Sequence, residues 1–375
     1  MKTRSPEDRQ RLTFQRTERS TVSQDKAMAN QRQLARLVQQ VQRLPQHDEY
    51  WTATSRLARM WITPRRASPY RPYITLVLSP QGKIVSSRVL AHPPTADTLC
   101  EELLRAMRRP AWGAGRARRP TRLYLDNAEH VAALTPFLAA CNIQCVYRDA
   151  LPMADEVMVE METQIGKYKP LPGLVSIPAV TPQLLEHLYH LAAQFYRAAP
   201  WRWFNDHHPF AIQCPPEDAP RYAIVMGSGG EVFGLAVYDR LEDVRALFTS
   251  PVSPRQLARM STWCVLFFEE APAVSFEDLD AITAHDWPVA APHAYPVFGR
   301  TTADQEIALP TKADLLWMEG ALGGLLAYLD AQREGYQGKV EPAALTVSVP
   351  RVDGEAHVHL RLLAFEALFR QDLGV

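Results

Sequence analysis

Tyr73-Ile74-Thr75-Leu76-Val77-Leu78, then Ser79-Pro80-Gln81-Gly82, then Lys83-Ile84-Val85-Ser86-Ser87-Arg88-Val89-Leu90: two runs rich in β-branched residues, joined by turn-forming ones. Such a pattern predicts a β-hairpin. Reading onward, Thr95 or Thr98 is placed to cap a helix whose apolar stripe is Leu99, Leu103, Leu104 and Met107. A loop rich in Arg, Gly and Pro runs over 108–121, and 122–126 (RLYLD) reads as a short strand. A helix follows with Val131, Leu134, Phe137, Leu138 and Cys141 on one face, then a strand over 143–147. The last element is a helix over 153–165 with Val157, Met158, Met161 and Ile165 in register. The order β-β-α-β-α-β-α predicts an α/β module, a mixed sheet with helices, over residues 47–165.

On the N-terminal side, residues 1–46 read as a basic arm. Residues 1–45 carry ten basic and four acidic side chains. The first 26 offer few apolar anchors and are expected to be disordered. Leu34, Leu37, Val38 and Val41 recur at helical spacing, so a helix is expected near 27–44, with a polar, solvent-facing side and Pro45 as its stop. On the other side, three prolines and two glycines mark residues 166–180 as a linker.

Residues 181–375 predict an α+β module. Thr181-Pro182 opens a helix with Leu184, Leu188, Leu191, Ala192 and Phe195 buried. Strands over 210–214, 221–226 and 232–238 have short connections, which implies an antiparallel meander. A helix near 241–248, a strand near 263–268, a short helix capped by Ser275 and a longer one over 311–332 follow. In the longer helix Gly320, Gly323 and Gly324 would admit a closely approaching element. A hairpin turned at Asp353-Gly354 closes the module.

Composition narrows function. Among 375 residues, Lys plus Arg equals Asp plus Glu at 41 each, which argues against a globally basic nucleic-acid binder. Five scattered cysteines form no C-x-x-C pair, so no structural zinc is expected and the thiols fit a reducing compartment. No apolar run nears the roughly 18–20 residues of a membrane span, and no apolar leader stands at the start. These readings imply a cytoplasmic protein without a cofactor or a membrane partner.

The candidate motifs are incomplete. Gly227-Ser228-Gly229-Gly230 lacks the Lys-Ser/Thr of a phosphate loop and reads as a hairpin turn. His187 with His190, and His357 with His359, share faces but lack a marked third ligand; His207-His208 is equally unspecific. Arg108, Arg109, Arg116, Arg118, Arg119 and Arg122 lie in a stretch without acids, interleaved with Trp112. With residues 1–66 they are the expected seat of any weak, non-specific nucleic-acid binding. Pro200-Trp201-Arg202-Trp203-Phe204 either plugs a core or forms a contact for a protein partner.

Residues 70–165 resemble the RNase H-like core of retroviral-type integrases and transposases. That resemblance implies an Asp on the first strand, a second at the end of a later strand in an Asp-Asn context, and a Glu on a later helix. Read this way, Ser79 stands where the first Asp belongs, Asp126-Asn127 supplies the second, and the third falls among Glu156, Glu160 and Glu162, with 35 residues between Asp126 and Glu162. Serine is a poor Mg²⁺ ligand, so the implied two-metal site is degenerate. The whole chain also resembles an uncharacterised bacterial family that joins such a domain to a second domain of unknown function. Arg71-Pro72-Tyr73-Ile74-Thr75-Leu76, Pro200-Trp201 and residues 222–235 carry that likeness. The expected function is non-enzymatic recognition of a partner. A metal-dependent nuclease and a non-catalytic nucleic-acid binder are the alternatives.

Overall fold

The computed structural model describes residues 30–166, 171–215, 217, 219–249, 263–301, 307–335 and 343–369. The predicted disorder of residues 1–26 lies outside them. The chain divides into two compact units, Met1–Lys169 and Pro170–Val375.

The first unit is built on a five-stranded mixed sheet in the order β3-β2-β1-β4-β5. Its strands are β1 (Gln46–Leu57), β2 (Tyr73–Leu78), β3 (Ile84–Leu90), β4 (Arg119–Leu125) and β5 (Gln144–Tyr147). β1 pairs antiparallel with β2 and parallel with β4; β2 and β3 are antiparallel, β4 and β5 parallel. The predicted hairpin is therefore β2–β3, and a further strand, β1, occupies the middle of the sheet. Sequence reasoning missed it because its first four residues are polar and two of its buried positions are Thr52 and Thr54 rather than aliphatics.

Period-two alternation sends side chains to two cores. On one face Trp51, Ala53, Val77, Leu123 and Leu125 meet α1 (residues 30–42), α2 (Ala96–Arg108) and α3 (Ala128–Ala139). On the other, Ile74, Leu76 and Leu78 meet α4 (Pro152–Gly166) through Ala154 and Met158. Thr95 caps α2, its side chain accepting from the Thr98 N–H at 3.3 Å. The arm helix is not a solvent-borne appendage. Leu34, Leu37 and Val41 are buried in the core, because three apolar side chains on one stripe are more stable covered than exposed.

The second unit carries an eight-stranded antiparallel sheet in the order β11-β10-β9-β8-β7-β6-β13-β12. The predicted meander is present as β6 (Phe210–Gln213), β7 (Arg221–Met226) and β8 (Gly234–Tyr238), and it continues through β9 (Trp263–Glu269), β10 (Tyr295–Thr301) and β11 (Ile307–Ala308). Pro296 and Gly299 hid β10 from the sequence reading. The hairpin β12 (Ala344–Arg351) and β13 (Gly354–Leu362) joins on β6. Helices α5 (Pro182–Ala198) and α8 (Lys312–Gly335) cover one face. α6 (Leu241–Thr249) packs Val244 on the other, and α7 (Phe276–His285) is capped by Ser275.

At Gly320 a Cβ would lie 2.3 Å from Cys214 Sγ, so α8 can approach the strand end only without a side chain there. The expected linker is partly docked. Leu174 and Ile177 are buried in the second unit's core, and the Leu174 and Val175 N–H groups donate to Asp278. Buried backbone donors must find partners, and a carboxylate on α7 supplies them.

Candidate functional site

Parallel pairing of β1 with β4 sets Ala53 opposite Leu125, which brings the next residues, Thr54 and Asp126, side by side. Thr54 Oγ1 donates to Asp126 Oδ2 at 2.8 Å. Two residues on, and so on the same face, Arg56 donates from Nε to Asp126 Oδ2 at 2.9 Å and to Thr54 Oγ1 at 2.9 Å. Its Nη2 lies 2.8 Å from the same carboxylate. Its Nη1 bonds Asp155, in the first turn of α4.

One guanidinium thus spans an acid at the end of β4 and an acid at the start of a helix. Burial disfavours its charge, but the hydrogen bond to Asp155 and the field of Asp126 outweigh that and raise its pKa above the ordinary arginine value. A planar five-donor fork suits this bridging role, whereas an ammonium would reach only one partner well.

The structure redistributes the predicted residues. Ser79 does not lie on the leading strand of the sheet. It opens the β2–β3 turn, 2% exposed, with its N–H donating to Lys83 O at 3.0 Å. Thr54 is the residue beside Asp126. Of the acids on α4, Asp155 reaches the cluster. Glu156 and Glu160 are exposed, and Glu162 is buried where it accepts from the Arg59 N–H at 2.7 Å. The signal that was available for Thr54 was the alternation Trp51-Thr52-Ala53-Thr54, which has β periodicity without strong hydrophobicity. Among the described residues no group of three or more His, Cys, Asp or Glu is arranged to hold a metal ion.

The arginine stretch divides into two kinds. Arg118 is 8% exposed, donates to Glu49 Oε1 at 2.5 Å and stacks 5.3 Å above the Trp51 ring. Arg119 bonds the carbonyls of Leu44 and Cys141. These two hold the fold. Arg109, Arg116 and Arg122 are exposed and Arg108 is half-buried.

In the second unit the histidines do not converge. His187 Nδ1 lies 2.5 Å from Glu319 Oε1, while His190 bonds Gln194 and His359 bonds Thr346. Glu319 is fully buried on α8, accepts from the Val352 N–H at 2.9 Å, and lies 3.5 Å from the Arg351 guanidinium. Arg221 and Arg300 both pair with Asp239 and Asp314, tying β7, β8 and β10 to the start of α8. The segment 227–230 turns between β7 and β8, with Gly230 N–H donating to Gly227 O at 3.0 Å. Trp201 packs on Tyr196, Phe233 and Phe268, and Phe204 is 3% exposed, so this aromatic run closes the end of a core. A cavity of about 650 Å³ lies among Leu174, Phe267, Val274, Val297, Phe298 and Leu309. It is apolar apart from Ser275 and Asp278, and the Asp278 carboxylate is already engaged by backbone donors.

Residues 37–162 match the family described as Domain of unknown function (DUF6930), and residues 186–343 match Domain of unknown function (DUF7309). No curated protein matches the chain. Among solved structures, a chain of the simian T-cell lymphotropic virus intasome in complex with PP2A regulatory subunit B56 gamma aligns at 9% identity. It covers 53% of this chain and 78% of that one, with a TM-score of 0.23. No described helix is long and apolar enough to cross a membrane.

Proposed function

We propose that the chain is a non-enzymatic cytosolic recognition protein whose first unit is an RNase H-like domain with an inactivated centre. The strand order β3-β2-β1-β4-β5, with β2 alone reversed, supports the fold assignment. The observation that carries the reading is the Arg56 guanidinium seated between Asp126 and Asp155. Two-metal phosphoryl transfer needs carboxylates free to clamp two cations about 3.5–4 Å apart. Here a neutral hydroxyl, Thr54, stands beside Asp126, and a side chain of the protein itself supplies the positive charge. Hard cations bind charged oxygens, and these are neutralised in place. All five cysteines are free thiols and four are buried, in keeping with a reducing compartment.

The test is a nuclease assay with Mg²⁺ or Mn²⁺ on single- and double-stranded substrates. Wild type and Asp126→Ala should both match a blank. Cleavage by the wild type that vanishes in Asp126→Ala overturns the reading in favour of a metal-dependent nuclease.

A further inference from the structure

Between α1 and α2 lies a cleft of about 350 Å³ lined by Gln33, Leu37, Arg105, Arg108 and Arg109. Glu101, on α2, accepts from both Arg105 and Gln33 of that lining. Among the described residues, the guanidinium groups of Arg108 and Arg109 have no hydrogen-bond or ion-pair partner. The cleft therefore presents two uncommitted planar forks beside a third that is partly neutralised.

Three residues beyond Arg109, Trp112 is 102% exposed. An indole wholly in water is costly and unusual, since tryptophan is on average heavily buried. The loop that carries it is pinned on both sides. Ala111 N–H donates to Val85 O at 2.8 Å and Ala114 N–H to Ala111 O at 3.0 Å. Buried Arg118 donates to Ala114 O at 2.9 Å. The ring is displayed by a fixed turn, which lowers the ordering cost of stacking anything on it. Exposed Arg116 follows within the same loop.

We infer that this surface binds single-stranded nucleic acid, with a base stacked on Trp112 and neighbouring phosphates on Arg108 and Arg109. Arginine forks match phosphate oxygens in a bidentate way, and an aromatic platform beside a basic groove is the arrangement that holds unpaired strands without sequence preference. A duplex keeps its bases stacked on each other, so it would meet the arginines but not the indole. The inference deepens the recognition reading by naming the partner class. It does not depend on whether the Asp126 cluster is inert.

The test is fluorescence anisotropy of the full-length chain with a labelled oligo-dT of about 20 nucleotides. Trp112→Ala should weaken binding about 5- to 150-fold, the range of one lost base stack, and Trp112→Phe should restore most of it. Because Trp112 touches nothing, its circular dichroism should be unchanged. Arg108→Ala with Arg109→Ala should reduce the slope of log affinity against log salt by about 1.4, at about 0.7 per phosphate contact. Arg148→Ala is the control. Arg148 is exposed and lies over the Tyr124 ring, which packs on the sheet face opposite the one covered by α1 and α2; it should change affinity by less than about twofold. Equal binding by wild type and Trp112→Ala overturns the inference, as does a duplex of the same length binding as tightly as the single strand. Competition by oligo-glutamate as effective as by unlabelled oligo-dT would reduce the site to a charge patch and also overturn it. Failure here is read by anisotropy and failure of the inactive-centre reading by cleavage, so the two are separable.

Discussion

Replacing Arg56 with alanine should expose how much the first unit depends on its internal cation. The guanidinium makes close contacts with Asp126 at 2.8 and 2.9 Å and a further one with Asp155. Two unit charges about 4 Å apart attract by about 4 kcal/mol at an effective dielectric near 20. The Arg56 side chain is 35% exposed, however, which brings each pair down towards the 0.2–1 kcal/mol of solvent-screened bridges. Asp126 is only 15% exposed, and its loss of a forked partner leaves two like charges facing one another. A total of about 2 kcal/mol follows. Amide hydrogen exchange is the suitable assay because it reads each unit separately. Protection factors in β1 and β4 should fall about 30-fold, while those of the eight-stranded sheet should not move. Adding Mg²⁺ at about ten times its dissociation constant should return about 1.4 kcal/mol to Arg56→Ala and nothing to the wild type. Unchanged protection in the variant, or an equal Mg²⁺ response in both proteins, would refute the claim that this side chain stands in for a cation.

Gly234→Ala should cost about 3 kcal/mol or more in the second unit, because the new Cβ would lie 2.0 Å from Leu266 O at φ +158°. Gly229→Ala, with open space around it, should stay within about 0.5 kcal/mol in the same denaturation series. Glu319→Ala should destabilise by about 3 kcal/mol, read as lost exchange protection in α5 and α8, since it strips a partner from the largely buried Arg351. Glu102 is 5% exposed, and burial raises its carboxyl above the ordinary value of 4.5. The folded state therefore holds its proton longer than the unfolded one, and its contribution is fully present below 4.5 and lost as pH rises through the raised value. Glu102→Gln should accordingly be more stable than wild type at neutral pH, by a margin that shrinks as pH falls towards 4.5 in chemical denaturation. A constant margin would refute it.

Locally encoded features were legible in the sequence. The caps Thr95, Thr181 and Ser275 all accept from a backbone N–H two to three residues into their helices. The Asp353-Gly354 turn sits at the Arg351–Gly354 pair. What was not legible is set by pairing between distant segments. β1 is central because of β2 and β4, not because of its own composition, and its buried threonines look like surface residues in isolation. Missing that strand moved the expected first acid position to Ser79 and hid Arg56. Asp155 was overlooked because the resemblance implies a Glu at the third position, which directs attention to the glutamates after it. The arginine stretch was legible as a charge cluster, but its division into fold-holding and free side chains depends on Glu49, Leu44 and Cys141, which lie far along the chain.

The pairing of β6 with β13 joins Phe210 to Leu362, about 150 residues later in the chain. A ribosome making this protein releases β6 about 100 residues before the helix α8 that covers it and about 140 before β13, its partner strand. During synthesis Phe210 and Ile212 must wait without their final neighbours, and contacts of such sequence separation close slowly. A chain ending between β6 and β13 would hold the complete first unit but leave the β6 edge of the second sheet without its partner strand.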